Sequence, residues 1–483
     1  RIRATMSLVT SFGARAPGRV QVWWYRSPEE KQRLVGAAHT QFAKPWRREV
    51  HINAMGYPNP VIKHELVHAL AAPWGAPPFG VAASVFGPIP CLKEDDMARE
   101  ASIERSEGRI MLHGVPKVGY FGNPPELCPF PSSLRACLGY LGEDIPYAEL
   151  LAASGAAFRL MWNTEYWDGG NVDILVCWED AAEPLRRACA AAGRDLELVW
   201  KRPGRKRPGF SAPDEAAQAR RLERRPSERY GEREDFVALL RRELDAGRPL
   251  VGFGLIGPPE AGIVAGYEED GTRLAGWSYF QDMPEFSAGI SRTSEGYFLR
   301  GDWYESPEMI GLLALPAEAA RPDPAELARD TLSFAARIMA PRRLGNHAGG
   351  LSAFDAFAAA LRVDADFPRD GNLPSLIEKN MCVSDALGTV AEGRYYASTW
   401  LASLAERFPR AAGALRAAAE PFAAEHDLCW KAWAELGGVG VGEKQARALT
   451  VKARRERVAA LVGAMRALDE KAVGLVEAAR EAI

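Results

Sequence analysis

Two kinds of hydrophobic spacing occur in the N-terminal quarter of the chain. Residues 19–25 (RVQVWWY) and 49–52 are short runs rich in Val, Ile and Trp, which predict β-strands. From residue 61 to 72 apolar side chains recur every fourth position, which predicts a helix that ends before Pro73. The positions that form this stripe are Ile62, Leu66 and Leu70. After a segment rich in Pro and Gly, the charged residues from about 95 to 112 predict another helix.

The middle of the chain alternates between helical and extended patterns. Residues 132–142 and 146–154 have helical spacing, and the first of these segments follows Pro131, as helix starts often do. Residues 201–233 are basic and polar and are predicted to form a solvated insertion. Apolar runs predict strands at NVDILVCW (171–178), DLELVW (195–200) and PLVGFGLI (249–256), followed by a hairpin around Asp270-Gly271.

From about residue 324 to the C-terminus, Ala, Leu, Arg and Glu recur with helical spacing, which predicts an all-α bundle. Phe422, His426, Trp430 and Trp433 share one helical stripe, so His426 is interpreted as a core histidine satisfied by a neighbouring residue. Four other polar residues of the bundle either line a pocket or pair on the surface: Glu392, Arg394, Tyr395 and Asp427.

Composition and charge narrow the range of partners. The formal net charge is -3 over 483 residues, so no electrostatic feature favours nucleic acid or an anionic membrane. The chain has 7 cysteines, an odd number, and no two of them form a C-x-x-C pair. This pattern is typical of a protein of the reducing cytoplasm rather than of a disulfide framework. The longest uncharged run, residues 69–92, is interrupted by prolines, so no membrane-spanning helix is predicted.

The helix predicted from residue 61 contains the pattern H-E-x-x-H. Residues at i and i+4 lie on one helical face, so His64 and His68 can bind one Zn²⁺ together. Glu65 lies beside them and can act as a general base on a zinc-bound water, whose pKa the metal lowers. The competing interpretation is a chance pair of surface histidines.

The run KPWRREVHINAMGYPNPVIKHELVHALAAPWGAPPFGVAA, residues 44–83, resembles the metal-binding region of bacterial gluzincin metallopeptidases. In that family a glutamate on the next helix is the third zinc ligand. The resemblance implies Glu94, in the sequence L-K-E, for this role, and Glu107, in S-E-G, is the competing candidate. A solvated charge run is the alternative interpretation of both. The resemblance also implies zinc-dependent hydrolysis.

A second set of segments lies after residue 114: VPKVGYFGNPPELCPFPSSLRACLGYLGED, SGAAFRLMW, WDGGNVDI, GPPEAGIVAGYEEDG, AEGRYYAS and AEHDLCWKAWAELGG. These segments resemble the proteins related to butirosin-biosynthesis protein H. The N-terminal domain of that family is similar to the papain-like peptidases that process double-glycine leader peptides. Its named member is associated with acyl transfer from a carrier protein to an aminoglycoside. The resemblance therefore implies a small-molecule or peptide substrate and an acyl-carrier protein as a partner.

A papain-like site needs a cysteine at a helix N-terminus and a histidine base. Cys128 lies just before the first helix of this region and is the candidate nucleophile, with Ser133 as the alternative. In the leader peptidases the histidine precedes a V-x-G-Y strand, and Glu260 holds that place in GPPEAGIVAGY. Because no histidine occurs between His113 and His347, the sequence predicts no Cys–His dyad. Glu260 then serves as a poorer base, closes a binding cleft or caps a loop.

The predicted fold class is α+β multidomain. Residues 1–112 are predicted to form a zincin-like module of partial length, and residues 113–320 a papain-like α/β domain with the insertion at 201–233. Residues 321–483 are predicted to form the helical bundle. The composition changes near residues 94–97, where two ancestral units are expected to meet. Three classes of function follow: zinc-dependent hydrolysis, acyl transfer or amide formation, and non-catalytic binding of a ligand or partner.

Overall fold

The chain divides into two compact units, Arg1–Met97 and Ala98–Ile483, and the division lies at the composition change noted above. The predicted metal-binding residues His64, Glu65, His68 and Glu94 lie outside the residues that the structure describes. A computed structural model describes residues 21–25, 27, 30–31, 42–44, 49–53, 102–120, 124–167, 169, 174–202, 225–283, 286–287, 289–369 and 371–483.

The described part of the first unit contains a three-stranded sheet. Its strands are β1 (Gln21–Tyr25), β2 (Phe42–Lys44) and β3 (Glu49–Asn53). The strand β3 lies in the centre, parallel to β1 and antiparallel to β2. The strand predictions for residues 19–25 and 49–52 are therefore confirmed.

The second unit contains a large mixed sheet and a small one. Its strands are β4 (Ser102–Ser106), β5 (Arg109–His113), β6 (Met161–Asn163), β7 (Glu197–Lys201), β8 (Glu228–Gly231), β9 (Leu250–Phe253), β10 (Ala261–Glu268), β11 (Arg273–Trp277), β12 (Ser291–Arg292), β13 (Phe298–Arg300), β14 (Gly311–Ala314), β15 (Arg342–Leu344) and β16 (His347–Gly349). The large sheet has the order β12-β13-β11-β10-β9-β14-β7-β8, with β5 paired to β10 and β4 paired to β5. The small sheet has the order β15-β16-β6.

In the large sheet, β7 and β9 confirm the strand predictions for residues 195–200 and 249–256. The predicted hairpin is formed by β10 and β11. Asp270 lies in the connecting turn with φ 58°, a left-handed conformation that Asp adopts more readily than most residues.

Three predictions of local structure are wrong. The predicted helix at 95–112 is a β-hairpin over residues 102–113, because Gly108 makes a left-handed turn at φ 67° and the apolar run of β5 pairs with β10. Ile174–Val176, inside a predicted strand, is a short 3-10 helix. The C-terminal end of the predicted solvated insertion forms β8, parallel to β7.

Ten α-helices are present among the described residues of the second unit, and those at 132–142 and 146–154 were predicted. The helical prediction after residue 324 is confirmed apart from the hairpin of β15 and β16. The helices are α1 (Pro129–Tyr140), α2 (Tyr147–Ala153), α3 (Glu183–Ala191), α4 (Arg233–Asp245), α5 (Pro324–Met339), α6 (Leu351–Leu361), α7 (Leu373–Arg407), α8 (Ala412–Glu435), α9 (Glu443–Ala448) and α10 (Lys452–Ala482).

One apolar core joins the large sheet to the helices. It includes Leu134 of α1 and Ile263 of β10, and it continues to Trp400 of α7. The long helix α7 packs against α2 and α8, so its middle lies beside the N-terminal end of α1. A second core fills the bundle around α6, α7 and α10. Within the described residues, no helix is long and apolar enough to cross a membrane.

Candidate functional site

Cys128 is the N-cap residue of α1, where its backbone is extended with φ -83° and ψ 110°. Pro129 follows at the first helical position, whose fixed φ suits the start of a helix. The helix packs against the buried strands β9 and β10, and Cys128 itself is 2% exposed. The predicted position of Cys128 before a helix is therefore confirmed, and the helix begins earlier than residue 132.

Three hydrogen-bond donors converge on one oxygen atom beside this cysteine. The Oε1 atom of Glu392 accepts hydrogen bonds from the backbone N–H groups of Leu127 and Cys128, the latter at 3.2 Å. The hydroxyl of Tyr147 donates to the same oxygen at 2.7 Å. Backbone N–H groups at a helix N-terminus form an anion-binding position, and here a carboxylate of the chain itself occupies it.

The neighbouring residues of α7 hold Glu392 at this position. A Cβ atom on Gly393 would lie 2.7 Å from the carbonyl oxygen of Ala157, so glycine permits the close approach of α7 to the turn at 156–158. Arg394 donates to the same carbonyl at 2.8 Å and is fully buried. The guanidinium of Arg394 also pairs with Glu425 at 3.2 Å and with Asp469 at 2.6 Å. This buried network fixes the position of α7 both around and along its helix axis.

Charged groups surround the thiol of Cys128. The Nη2 atom of Arg159, a residue that is 2% exposed, lies 3.7 Å from the Cys128 Sγ atom. Glu260, which immediately precedes β10 and is 9% exposed, interacts electrostatically with the thiol. Burial raises the pKa of the Cys128 thiol, Arg159 lowers it in part, and the charges of Glu392 and Glu260 raise it further. The resting thiol is therefore protonated near neutral pH.

The same environment acts on Glu392. Burial of the carboxyl group raises its pKa from the usual 4.5 to about 7, although the hydrogen bonds from Tyr147, Leu127 and Cys128 favour the charged form. Glu392 as a whole residue is half-buried, whereas its carboxyl oxygen accepts three hydrogen bonds inside the site. A carboxyl group with a pKa near neutrality can exchange a proton at physiological pH.

Tyrosine side chains form one wall of the site. The hydroxyl of Tyr279 donates to the carbonyl of Glu126 at 2.8 Å, which holds the segment before Cys128. Tyr120 packs edge-on against Tyr279 with ring centroids 4.8 Å apart and is 40% exposed. Glu260 interacts electrostatically with Tyr120 as well as with Cys128. Tyr120 therefore lies at the solvent-exposed edge of the site.

The alternative candidates are placed differently. Ser133 is fully buried inside α1, and its Oγ atom has no hydrogen-bond partner among the described residues. Glu107 is exposed in the turn between β4 and β5. His426 meets the carbonyl of Ala391 at 2.8 Å and the Nε1 atom of Trp430 at 2.9 Å, so the prediction that its neighbours satisfy it is confirmed. Its predicted place in the core is wrong, because His426 is only half-buried and Trp430 is exposed.

Among the described residues, no group of three or more His, Cys, Asp and Glu side chains has an arrangement that could hold a metal ion. The groups that interact with the Cys128 thiol there are an arginine, two glutamates and a second thiol, that of Cys177. The thiol is thus flanked by charges of both signs, and none of these four groups is an imidazole.

Sequence reasoning missed Arg159, Tyr147 and Tyr279. A signal existed for Arg159, since SGAAFRLMW places one charge within an apolar run, and a buried charge requires a partner. Nothing in the sequence marked the two tyrosines, whose roles depend on contacts with distant segments. Comparison with protein-family models and with curated proteins finds no match for this chain.

Proposed function

We propose that the site around Cys128 transfers an acyl group from a thioester to an amine through an acyl–Cys128 intermediate. The observation that supports this proposal is the convergence of the Leu127 N–H, the Cys128 N–H and the Tyr147 hydroxyl on one oxygen atom. Donors arranged in this way stabilise the oxyanion of a tetrahedral acyl intermediate. Under the proposal, the carbonyl oxygen of the substrate replaces Glu392 Oε1 at these donors.

The groups around the thiol favour a thioester over a peptide bond as the acyl donor. An amide nitrogen must be protonated as it leaves, a task that papain-like enzymes give to histidine. A thiolate with a pKa of about 8.5 leaves without such help. The described groups that act on the thiol include carboxylates but no imidazole, and this set suits thioester exchange better than peptide hydrolysis.

The reaction proceeds through two acyl-transfer steps at Cys128. Glu260 accepts the proton of Cys128, and the thiolate attacks the thioester carbonyl, so that a new C–S bond forms and the donor thiolate departs. The departing thiolate takes the proton from Glu260. The acceptor amine then attacks the acyl–Cys128 carbonyl, the C–N bond forms, and the C–S bond to Cys128 breaks. Its sulfur recovers a proton from the amine by way of Glu260, and the net products are an amide and a free thiol.

The resemblance to the proteins related to butirosin-biosynthesis protein H supports the same reaction class. It adds an acyl-carrier protein as the donor of the thioester and a small molecule with an amine as the acceptor. In this proposal Arg159 stabilises the Cys128 thiolate once it forms, because the guanidinium nitrogen lies 3.7 Å from the sulfur.

A second candidate function is binding without catalysis. It is favoured by the Cys128 N–H, which already bonds to Glu392 and Tyr147, and by the burial of the thiol. In that case Glu392 would stay in place permanently and the cleft would hold a ligand or partner. Zinc-dependent hydrolysis through His64, Glu65 and His68 is a separate proposal that rests on the sequence pattern.

An assay of amide formation separates the first two candidates. The full chain is incubated with butyryl-N-acetylcysteamine, a simple acyl thioester, and with a panel of primary amines, and the amide is measured by mass spectrometry. Acyl transfer predicts product with the unmodified protein and none with Cys128→Ser. Cys137→Ser, which removes another buried thiol of α1, is the matched control and should keep the activity. Equal product with all three proteins would exclude acyl transfer at Cys128.

A further inference from the structure

A cavity of about 460 Å³ lies between α6 and the segment that follows β6. Its floor contains three alanines of α6, and its volume is within the range of ligand-binding sites in proteins. The aromatic and polar residues that line it include Trp162, Asn163, Glu165, Tyr166, Trp167 and Asp366. The reaction proposed above makes no use of this cavity.

Aromatic rings held by ring contacts line the cavity. Trp162 is buried and stacks on Phe357 with ring centroids 4.4 Å apart. Trp167 packs edge-on against Trp162 at 5.4 Å and against Phe367 at the same distance. The ring of Tyr166 is 40% exposed. Faces of Trp and Tyr attract cations, and fixed rings offer this attraction without first having to be ordered.

Two carboxylates add negative charge. The Oδ2 atom of Asp366 accepts a hydrogen bond from Trp167 Nε1 at 3.3 Å, and the Oε2 atom of Glu165 accepts one from Asn346 Nδ2 at 2.8 Å. Both donors are neutral, and no ion pair within the described part of the chain involves either carboxylate. The nearby ammonium of Lys379 donates to the backbone carbonyl of Asp366 at 2.6 Å rather than to its carboxylate.

A buried donor completes the site. Asn163 is 4% exposed, and its Oδ1 atom accepts hydrogen bonds from the backbone N–H groups of Glu165 at 3.0 Å and Tyr166 at 3.3 Å. Its Nδ2 atom has no hydrogen-bond partner among the described residues. Buried amide donors in folded proteins are nearly always paired, so the Asn163 side chain requires an acceptor oxygen.

We propose that this cavity binds a small quaternary ammonium alcohol of the choline type. The aromatic faces and the carboxylates of Glu165 and Asp366 hold the positive headgroup, and the alcohol oxygen accepts from Asn163 Nδ2. A quaternary headgroup suits the site because it donates no hydrogen bonds, whereas a primary ammonium needs three acceptors. The inference is independent of the chemistry at Cys128.

Calorimetric titration of the full chain tests this assignment with choline and with 3,3-dimethylbutan-1-ol, the neutral molecule of the same shape. We expect saturable choline binding that is about tenfold tighter than that of the neutral alcohol. Asp366→Asn and Tyr166→Ala should each weaken choline binding roughly fivefold, while Tyr166→Phe, which keeps the ring, should preserve it. Circular dichroism verifies that each variant is folded.

Asp355→Asn is the matched control, because it removes one charge from α6 at a residue that pairs with Arg466 and does not line the cavity. It should leave choline binding unchanged. Equal affinity for choline and its neutral analogue, no saturable binding of choline, or unchanged binding by Asp366→Asn would overturn the proposal. Tighter binding of ethanolamine than of choline would overturn the assignment of a quaternary headgroup.

Discussion

The Oε1 atom of Glu392 accepts a hydrogen bond from the backbone N–H of Cys128 at 3.2 Å. Glu392 belongs to the long bundle helix α7, and Cys128 begins the helix α1 that packs on the sheet. The bundle thus places a carboxylate at the helix N-terminus where a thiol enzyme would bind an oxyanion. Several predictions depend on this contact, because it couples the protonation of Glu392 to the reactivity of the thiol.

Alkylation of Cys128 measures this coupling. Burial and the charges of Glu392 and Glu260 raise the thiol pKa, so Cys128 should react with iodoacetamide at pH 7 no faster than free glutathione. Glu392→Gln removes one of these charges and should accelerate labelling several-fold, as followed by peptide mass spectrometry. Cys137, buried in the same helix, is the internal control and should not respond. Rapid stoichiometric labelling of Cys128 in the unmodified protein would contradict this account.

The stability of the protein should depend on the protonation of Glu392. The folded state keeps this proton up to a pH of about 7, whereas the unfolded chain releases it near 4.5. The contribution of Glu392 is therefore complete below pH 4.5 and is lost as the pH rises through 7, by up to about 3 kcal/mol. Urea denaturation across this range should show the loss in the unmodified protein relative to Glu392→Gln. A parallel pH dependence of the two proteins would refute the assignment.

The buried network of Arg394, Glu425 and Asp469 should respond unequally to substitution. Arg394→Met leaves two buried carboxyl groups without a cation and should lower the free energy of unfolding by about 3–5 kcal/mol. Burial and the neighbouring Asp469 raise the pKa of Glu425 well above its usual value, which favours the neutral form of this carboxyl group. Glu425→Gln should then change stability by less than about 1 kcal/mol. Similar losses from the two substitutions would show that Glu425 is charged.

Local patterns in the sequence predicted the position of Cys128 and the elements around it. The helix of residues 132–142 and the hairpin at Asp270-Gly271 were recognised because spacing and turn residues specify them within a few positions. The absence of a histidine between His113 and His347 could be read directly, and it limits the chemistry at the thiol.

Contacts between distant residues could not be predicted in the same way. The sequence marks Glu392 only as a polar residue of the bundle, and its partner Cys128 lies 264 positions away. The charged residues of the hairpin at 102–113 also fit helical spacing, so the pattern wrongly predicts a helix, and only the pairing of β5 with β10 decides between the two. Such choices depend on tertiary partners rather than on local propensity.

Zinc content tests the N-terminal pattern. We predict one bound Zn²⁺ per chain when the protein is purified without added metal, and its loss in His64→Ala and in His68→Ala. Glu65→Gln should keep the metal and abolish any peptide hydrolysis, since an amide cannot accept the proton of the bound water. Elemental analysis gives the answer directly. Substoichiometric zinc that both histidine substitutions leave unchanged would exclude the site.

The most direct measurement for the proposed function is the intact mass of the protein after brief exposure to butyryl-N-acetylcysteamine without an amine acceptor. Acyl transfer predicts one added butyryl group, located on Cys128 by peptide mapping, present in Cys137→Ser and lost in Cys128→Ser or on addition of an acceptor amine. An unchanged mass in both the unmodified protein and Glu392→Gln, or an adduct distributed over other residues while Cys128 stays free, would contradict the proposal.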